Sequence, residues 1–468
     1  MYSDTPRSAP LPPAMLAAVT LLQAYDQTSD ALAVEQAVFD QRWQMVLDCL
    51  GCKRPPFSQG VLVDFRRRLI EHDMDRRLVE RTVALAKETG DFGAAKLRVA
   101  LDSAPLWGAG RVEDTFNLVA HAARLVISCA ASLLDCSPQE VRRHAKLELL
   151  TERSIKASLD IDWSDEEQQK VALTRLLDEI GKLRCWLDAA IDEQDRGEVL
   201  LEALATLEQV IEQDIEPDPD GHGARLKDGT SRGRRISITD PDMRHGRKSK
   251  SRVINGYKRH VAIDMSSGLI LAAAVWPANE REYLAMDEEL RIDLASYGAV
   301  EELHIDRGYL AGNWVGDLVA DGQRVVSKAW APSPRQGRFS KTKFRIDIDA
   351  GTVTCPAGKQ AQIGNRKAQF SRTICGPCEL HEQCTKAAYR SVAIHDQEAL
   401  LQRFRRAQST SEGRQQQRKR VVVEHALAHI TRRQGPRARY LGARKNLFDV
   451  RRTVVVENLH RLDKMLAA

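Results

Sequence analysis

A change of hydrophobic period at residue 96 constrains the fold of this chain more than any other feature. From residue 12 to about 92, four stretches place apolar residues every three or four positions: "PPAMLAAVTLLQAYD", "SDALAVEQAVFDQRWQMVLDCLG", "SQGVLVDFRRRLIEH" and "MDRRLVERTVALAKETG". That is the spacing of one helix face. Ser29 and Ser58 stand where N-caps belong, and Gly51 and Gly90 where helices stop. Then "KLRVALDSAP" reads as a strand ending at Asp102, and helical spacing returns from 113 to about 213. Two strand candidates follow, "YKRHVAIDMSSG" and "LILAAAVWPAN", joined at Ser267 and Gly268 in a hairpin. "EYLAMDEELRIDLAS" reads as a helix, "LHID" as a buried strand, "NWVGDLVADG" as a short helix and "RVVSKA" as another strand. The order strand, helical block, hairpin, helix, strand, helix, strand predicts an α/β fold, a mixed sheet flanked by helices and interrupted by insertions.

Charge is unevenly spread along the 468 residues. Residues 151–220 carry 20 Asp and Glu against 7 Lys and Arg, whereas 222–260 carry 12 basic and 3 acidic residues, and 401–452 carry 15 basic and 3 acidic. Two concentrated basic zones in a chain of net charge +5 point to a polyanion partner, nucleic acid foremost; ordinary solvated surface is the plainer alternative for either zone alone. The segment "EPDPDGHGARLKDGTSRGRR" has linker composition. The N-terminus lacks a charged start and cleavage site, and no apolar run reaches the roughly 18 residues needed to span a bilayer. A cytoplasmic protein with no membrane partner is expected.

Three carboxylates stand out. Asp102 and Asp306 close predicted strands, the edge where open α/β sheets gather ligands, and a charge ending a buried strand is costly unless paired or bound to metal. Glu424 is the one acid in "RQQQRKRVVVEHALAHITRRQG". Singly, each has a structural reading as a turn cap or helix ion pair. Jointly they suit a divalent metal such as Mg²⁺, which takes oxygen ligands and serves in-line phosphoryl displacement, with Lys and Arg nearby to hold a phosphodiester backbone.

The blocks "LDSAPLWGAGRVEDTFNLV", "GYKRHVAIDMSSGLILAAAVWPANERE", "LHIDRGYLAGN" and "RKRVVVEHALAHITRR…RARYLGARKNLFDV…VENLHRL" resemble, in order, the signature blocks of DDE transposases of bacterial insertion sequences. The similarity is to the subgroup with a helical N-terminal domain and a helical insertion after the first catalytic strand, and it extends from about residue 15 to 462. The resemblance implies an RNase H-like core with Asp102, Asp306 and Glu424 as the Mg²⁺- or Mn²⁺-binding catalytic triad. It implies cleavage and strand transfer at inverted-repeat ends, double-stranded DNA ends and target DNA as partners, and a homo-oligomer on the DNA. Lys419, Arg420, Arg432, Arg433 and Arg307 would contact DNA. On this reading the chain divides into a helical N-terminal domain (1–94), the first core strand (95–112), an acidic helical insertion (113–215), a basic linker (216–250), the core continued (251–332), a cysteine-rich insertion (333–400) and C-terminal catalytic and basic helices (401–468). Three positions depart from the pattern: Gln417 and Thr431 replace a tyrosine and a lysine common in relatives, and Ala104 replaces a threonine.

Four of the nine cysteines, Cys355, Cys375, Cys378 and Cys384, fall within 30 residues and include a C-x-x-C. They suit a structural Zn²⁺, with reduced free thiols as the alternative; His381 reads as a surface residue. Cys49, Cys52, Cys129, Cys136 and Cys185 read as core filler, and Asp240, Asp242 and Asp264 as turn residues. No phosphate loop of the nucleotide-binding type occurs, so no nucleotide cofactor is expected. Two other functions share these features: a non-transposing nuclease on the same core, and a non-catalytic zinc-containing DNA-binding protein descended from a transposase.

Overall fold

The computed structural model describes residues 11–90, 92–93, 96–151, 154–219, 223–247, 252–330 and 337–467. The first ten residues and parts of the expected linker and of the two insertions lie outside the described residues. Six strands build the main sheet: β1 Lys96–Trp107, β2 Arg244–Arg247, β3 Val253–Asp264, β4 Ile270–Pro277, β5 Ala299–His304 and β6 Arg324–Val326. One edge of β3 pairs with β1; the other pairs first with β2 and then with β4, all antiparallel. On the far side of β1, β5 and then β6 add in parallel. The sheet therefore runs β4-β3-β1-β5-β6, a mixed α/β arrangement as the order of elements predicted.

The expected end of the first strand at Asp102 is corrected: β1 continues to Trp107. It does so because β3 matches it residue for residue, Asp102 opposite Val261 and Trp107 opposite Gly256. Along its other edge, pairing with β5 stops at Ala100 opposite His304. Asp102 thus lies on a half-paired stretch of β1, beside the exit of β5 that carries Asp306. Alternation along β1 divides its side chains between two cores. Val99 and Leu101 pack with the helical run after β4, including Ala285 and Met286. Ala100 and Leu106 pack with Val423, Leu427 and Ile430 of the helix Val421–Gln434 and with Val450 and Val454 of the terminal helix Ala443–Leu466.

The N-terminal helices form as their caps predict. Ser29 and Ser58 each accept a backbone N–H from the first turn, and Gly51 and Gly90 adopt the left-handed conformation. The second stretch splits at Asp40, whose carboxylate caps a separate helix, Gln41–Val46. The basic segment that carries Glu424 forms two helices, Ser411–Arg418 and Val421–Gln434. Tightened bonds from Lys419 N–H to Gln416 and from Val423 N–H to Arg420 make the joint. The first piece buries no residue, and its Gln417 amide donates to the Ser327 carbonyl at 3.0 Å.

Two further departures concern apolar content. The helix Thr115–Leu133, with 19 residues, is long and apolar enough to cross a membrane, contrary to the expectation that no run reaches that length. Its apolar window is 61% buried against the helices Glu166–Ala190 and Glu198–Asp214. The cysteine-rich segment, in which no strand was expected, forms a five-stranded antiparallel sheet from Arg345–Asp347, Thr352–Thr354, Gln360–Gly364, Lys367–Gln369 and Ser391–Ala393. Phe344, Val353, Ala368, Phe370 and Val392 are its small core.

Candidate active-site cleft

A cleft of about 680 Å³ opens at the carboxyl-end edge of β1 and β5, and Asp102, Asp306 and Glu424 all line it. Each arrives by a different local device. Asp102 shares the face of β1 with Ala100 and accepts the backbone N–H of Ser103 at 2.8 Å. Asp306 caps the short turn Arg307–Tyr309 by accepting the N–H of Arg307 at 2.7 Å. Glu424 rides on a helix docked across β1 and β3. Trp107 N–H donates to the Pro436 carbonyl at 2.9 Å, and Ala438 N–H returns a bond to Trp107. Arg259, fully buried on β3, donates to Thr431 Oγ1 at 2.9 Å, Gln434 Oε1 at 2.5 Å and the Gly435 carbonyl at 3.2 Å. Burial pulls the Arg259 pKa down to about 10, because no carboxylate bonds it; neutral oxygens at the end of the Glu424 helix hold the charge instead. Thr431 is one of those oxygens.

Arg420 lies between the acids. Its Nη1 is 2.7 Å from Asp102 Oδ2 and its Nη2 is 2.7 Å from Glu424 Oε1. Burial pushes the Asp102 pKa up, Arg420 opposes that shift, and the charge of Asp306 adds to it. Asp306 is therefore electrostatically coupled to Asp102. An all-oxygen donor set suits Mg²⁺ or Mn²⁺. As arranged, however, no three His, Cys, Asp or Glu groups among the described residues stand close enough to hold a metal ion; the Arg420 guanidinium spans Asp102 and Glu424.

A fourth carboxylate belongs to the cleft and escaped the sequence reading. Glu282 accepts the Ser103 hydroxyl at 2.7 Å and lies 4.0 Å from Lys258 Nζ. Its carboxylate rests against Gly308, where any Cβ would collide with it. Gly308 thus makes room for Glu282. Lys258, Arg247 and Arg252 bring cations to the same cleft. The run Lys258-Arg259-His260 inside an otherwise apolar strand was the available signal. His260 is buried, stays neutral with its pKa depressed to about 3 by burial, and hydrogen-bonds the buried Tyr309 hydroxyl at 2.8 Å.

The other expected DNA contacts are dispersed. Arg433 pairs with Glu457, bonds His460 at 2.9 Å and lies over the Tyr25 ring. Arg307, Arg432 and Lys419 do not line the cleft, although Lys419 and Arg432 are exposed. Asp264 caps the hairpin turn through Ser267, as expected of a turn residue. Asp240 and Asp242 accept the backbone N–H groups of Gly442 and Ala443 at the start of the terminal helix.

Cys355, Cys375, Cys378 and Cys384 line one small apolar pocket together with His381. Burial raises the Cys384 pKa, and the other three cysteines lie near enough to add to the shift. The thiol set suits zinc chemically, but in this arrangement it too falls short of a metal-holding group among the described residues.

Residues 353–463 match the family described as the transposase DDE domain. The match takes in most of the cysteine-rich sheet, the Glu424 helix and nearly all of the terminal helix. Comparison with curated proteins and with solved structures returned no match.

Proposed function

On the premise that the DDE-domain match supports a DDE-type transposase, we propose that this chain cleaves and joins DNA at insertion-sequence ends, with Asp102, Asp306 and Glu424 as its catalytic carboxylates. The observation that carries the reading is their meeting in one cleft lined with cations. The order β4-β3-β1-β5-β6, an antiparallel hairpin beside parallel strands, supports an RNase H-like core. Asp102, Asp306 and Glu424 would hold a divalent ion, which supplies activation of the attacking oxygen and charge stabilisation for phosphoryl displacement. Lys258, Arg247 and Arg252 grip the backbone on either side of the scissile phosphate. Glu282 fixes Ser103, whose N–H orients Asp102. Arg420, which spans Asp102 and Glu424, would turn to a phosphate oxygen once those carboxylates hold the ion. The helices of 1–94 recognise the ends, and the protein works as a homo-oligomer on DNA.

In the cysteine-rich sheet, Cys355, Cys375, Cys378 and Cys384 would hold a structural Zn²⁺, which would reinforce a core that, among the described residues, buries five apolar side chains. The test of the main reading is metal-dependent cleavage of a plasmid carrying both ends, taken from the DNA flanking the gene, by wild type and Asp306→Asn. Cleavage at the boundaries by wild type alone is expected. Equal cleavage by both proteins removes Asp306 from the site.

A further inference from the structure

Next to the acid-lined cleft lies a second one of about 430 Å³, walled by Arg232, Arg234, Arg244, His245 and Arg281 with a single carboxylate, Glu280. The two clefts share their dividing wall. Arg281 precedes Glu282 of the first cleft, Arg244 and His245 lie on the strand that ends in Arg247, and Lys258 of the first cleft donates to the Glu280 carbonyl at 2.9 Å. In that wall Gly246 lies so close to Ala278 that any Cβ would collide with the Ala278 carbonyl.

The charge in the second cleft is largely uncompensated. Arg234 is neutralised by Asp214 at 2.5 Å. Among the described residues, Arg232, Arg244 and Arg281 have no ion-pair partner. The Arg244 guanidinium is instead held by the carbonyls of Pro241 and Met243, which fixes its direction without cancelling its charge. His245 is steadied by Asn255 at 2.6 Å, and the hydroxyl-bearing Thr230 and Ser231 complete the lining. A held Arg244 beside the exposed Arg232 and Arg281, with hydroxyls and few acids, suits phosphodiester oxygens.

We propose that this second cleft binds backbone phosphates of the same DNA strand whose scissile phosphate occupies the acid-lined cleft. It thereby holds the DNA in register beside the reaction rather than reading its sequence. The inference rests on the transposase reading for the identity of the polyanion, and it adds a binding site that none of the expected DNA-contacting residues occupies.

The experiment is a titration of a short labelled duplex of arbitrary sequence across a range of salt, because backbone contacts are sequence-independent. Arg232→Ala/Arg281→Ala should weaken binding and reduce the slope of log K against log salt by about 1 to 2, at about 0.9 for each phosphate no longer neutralised. Arg232→Lys/Arg281→Lys should keep most of the slope and shows that the fold tolerates change there. Arg143→Ala/Lys146→Ala removes the same charge from residues that line neither cleft and should leave the slope intact. A slope unchanged in the alanine pair, or reduced equally by the control pair, overturns the proposal. If the slope falls as expected while wild type fails to cleave its ends, this site stands and the catalytic reading falls. An unchanged slope with Asp306-dependent cleavage means the reverse.

Discussion

Removing Arg420 should tighten divalent-metal binding while impairing cleavage. Its guanidinium holds Asp102 and Glu424 at 2.7 Å each, so an ion using both carboxylates must displace it. The Glu424 pair contributes little, because that side chain is 51% exposed and exposed pairs are worth about 0.2–1 kcal/mol. The Asp102 pair counts for more, with side chains 19% and 17% exposed. It falls between the exposed case and the roughly 3–5 kcal/mol lost on breaking a buried pair; about 2 kcal/mol is a reasonable middle. At about 1.4 kcal/mol per decade, Arg420→Ala should bind Mn²⁺ about 30-fold more tightly in an isothermal titration without DNA. Arg420→Lys, which keeps the charge but cannot span both acids, should fall between. The same alanine variant should cleave DNA more slowly, having lost its partner for the transition-state phosphate. Unchanged or weaker Mn²⁺ binding by Arg420→Ala would refute the idea that the arginine occupies the metal's place.

Three further outcomes follow from groups elsewhere in the fold. Burial raises the Glu289 pKa to about 7, only partly offset by the Trp276 indole N–H at 2.7 Å. A raised carboxyl favours the folded state at low pH, and that advantage is lost between the unfolded value of about 4.3 and the folded value, a decline of about 4 kcal/mol. Urea unfolding of Glu289→Gln across that range should lack this decline; an identical pH profile would contradict it. Asp75 is wholly buried between Arg444 at 2.5 Å and Arg451 at 3.2 Å, tying an N-terminal helix to the terminal one. Asp75→Ala should cost about 3 kcal/mol, the low end for a broken buried pair, since Arg451 keeps Asp73 at 2.6 Å. A loss below about 1 kcal/mol in urea unfolding would mean that the network relaxes to replace it. Purified protein should carry zinc by elemental analysis, and Cys378→Ser should lose it; equal metal content in the two would remove the zinc proposal.

What was legible in the sequence was whatever broke a local pattern. Asp306 ends an apolar run, and Glu424 is a lone acid among cations, so both could be singled out from neighbours in the chain. Glu282 could not. At the start of an unremarkable helix it resembles any acid of a first turn, and its meaning comes from Ser103, 179 residues away. Arg259 was visible as a charge inside a strand, but its partners Thr431 and Gln434 lie on a helix more than 170 positions later. The sheet of the cysteine-rich segment was missed for another reason: four of its five strands are three residues long, too short for alternation to rise above chance.

The acids cluster at this edge of the sheet because of how the strands are staggered. β1 is paired with β3 to its last residue but with β5 only as far as Ala100. Beyond that point, among the described residues, no strand covers the β5 side of β1 until the chain at Arg437 bridges Trp107. Asp102, half-buried there, is costly to charge, and its pKa is raised accordingly. Asp306 leaves β5 at the same level, and Glu282 joins them through Ser103. Four carboxylates gathered this way repel one another, so the fold must supply cations, which it does with Arg420 and Lys258. A sheet serving only as scaffold would be more stable with apolar residues at these positions. Retaining acids in a cleft whose cations are fixed by other bonds, as Lys258 is by the Glu280 carbonyl, makes sense if a more highly charged guest, a divalent ion with a phosphate, takes the place that Arg420 holds.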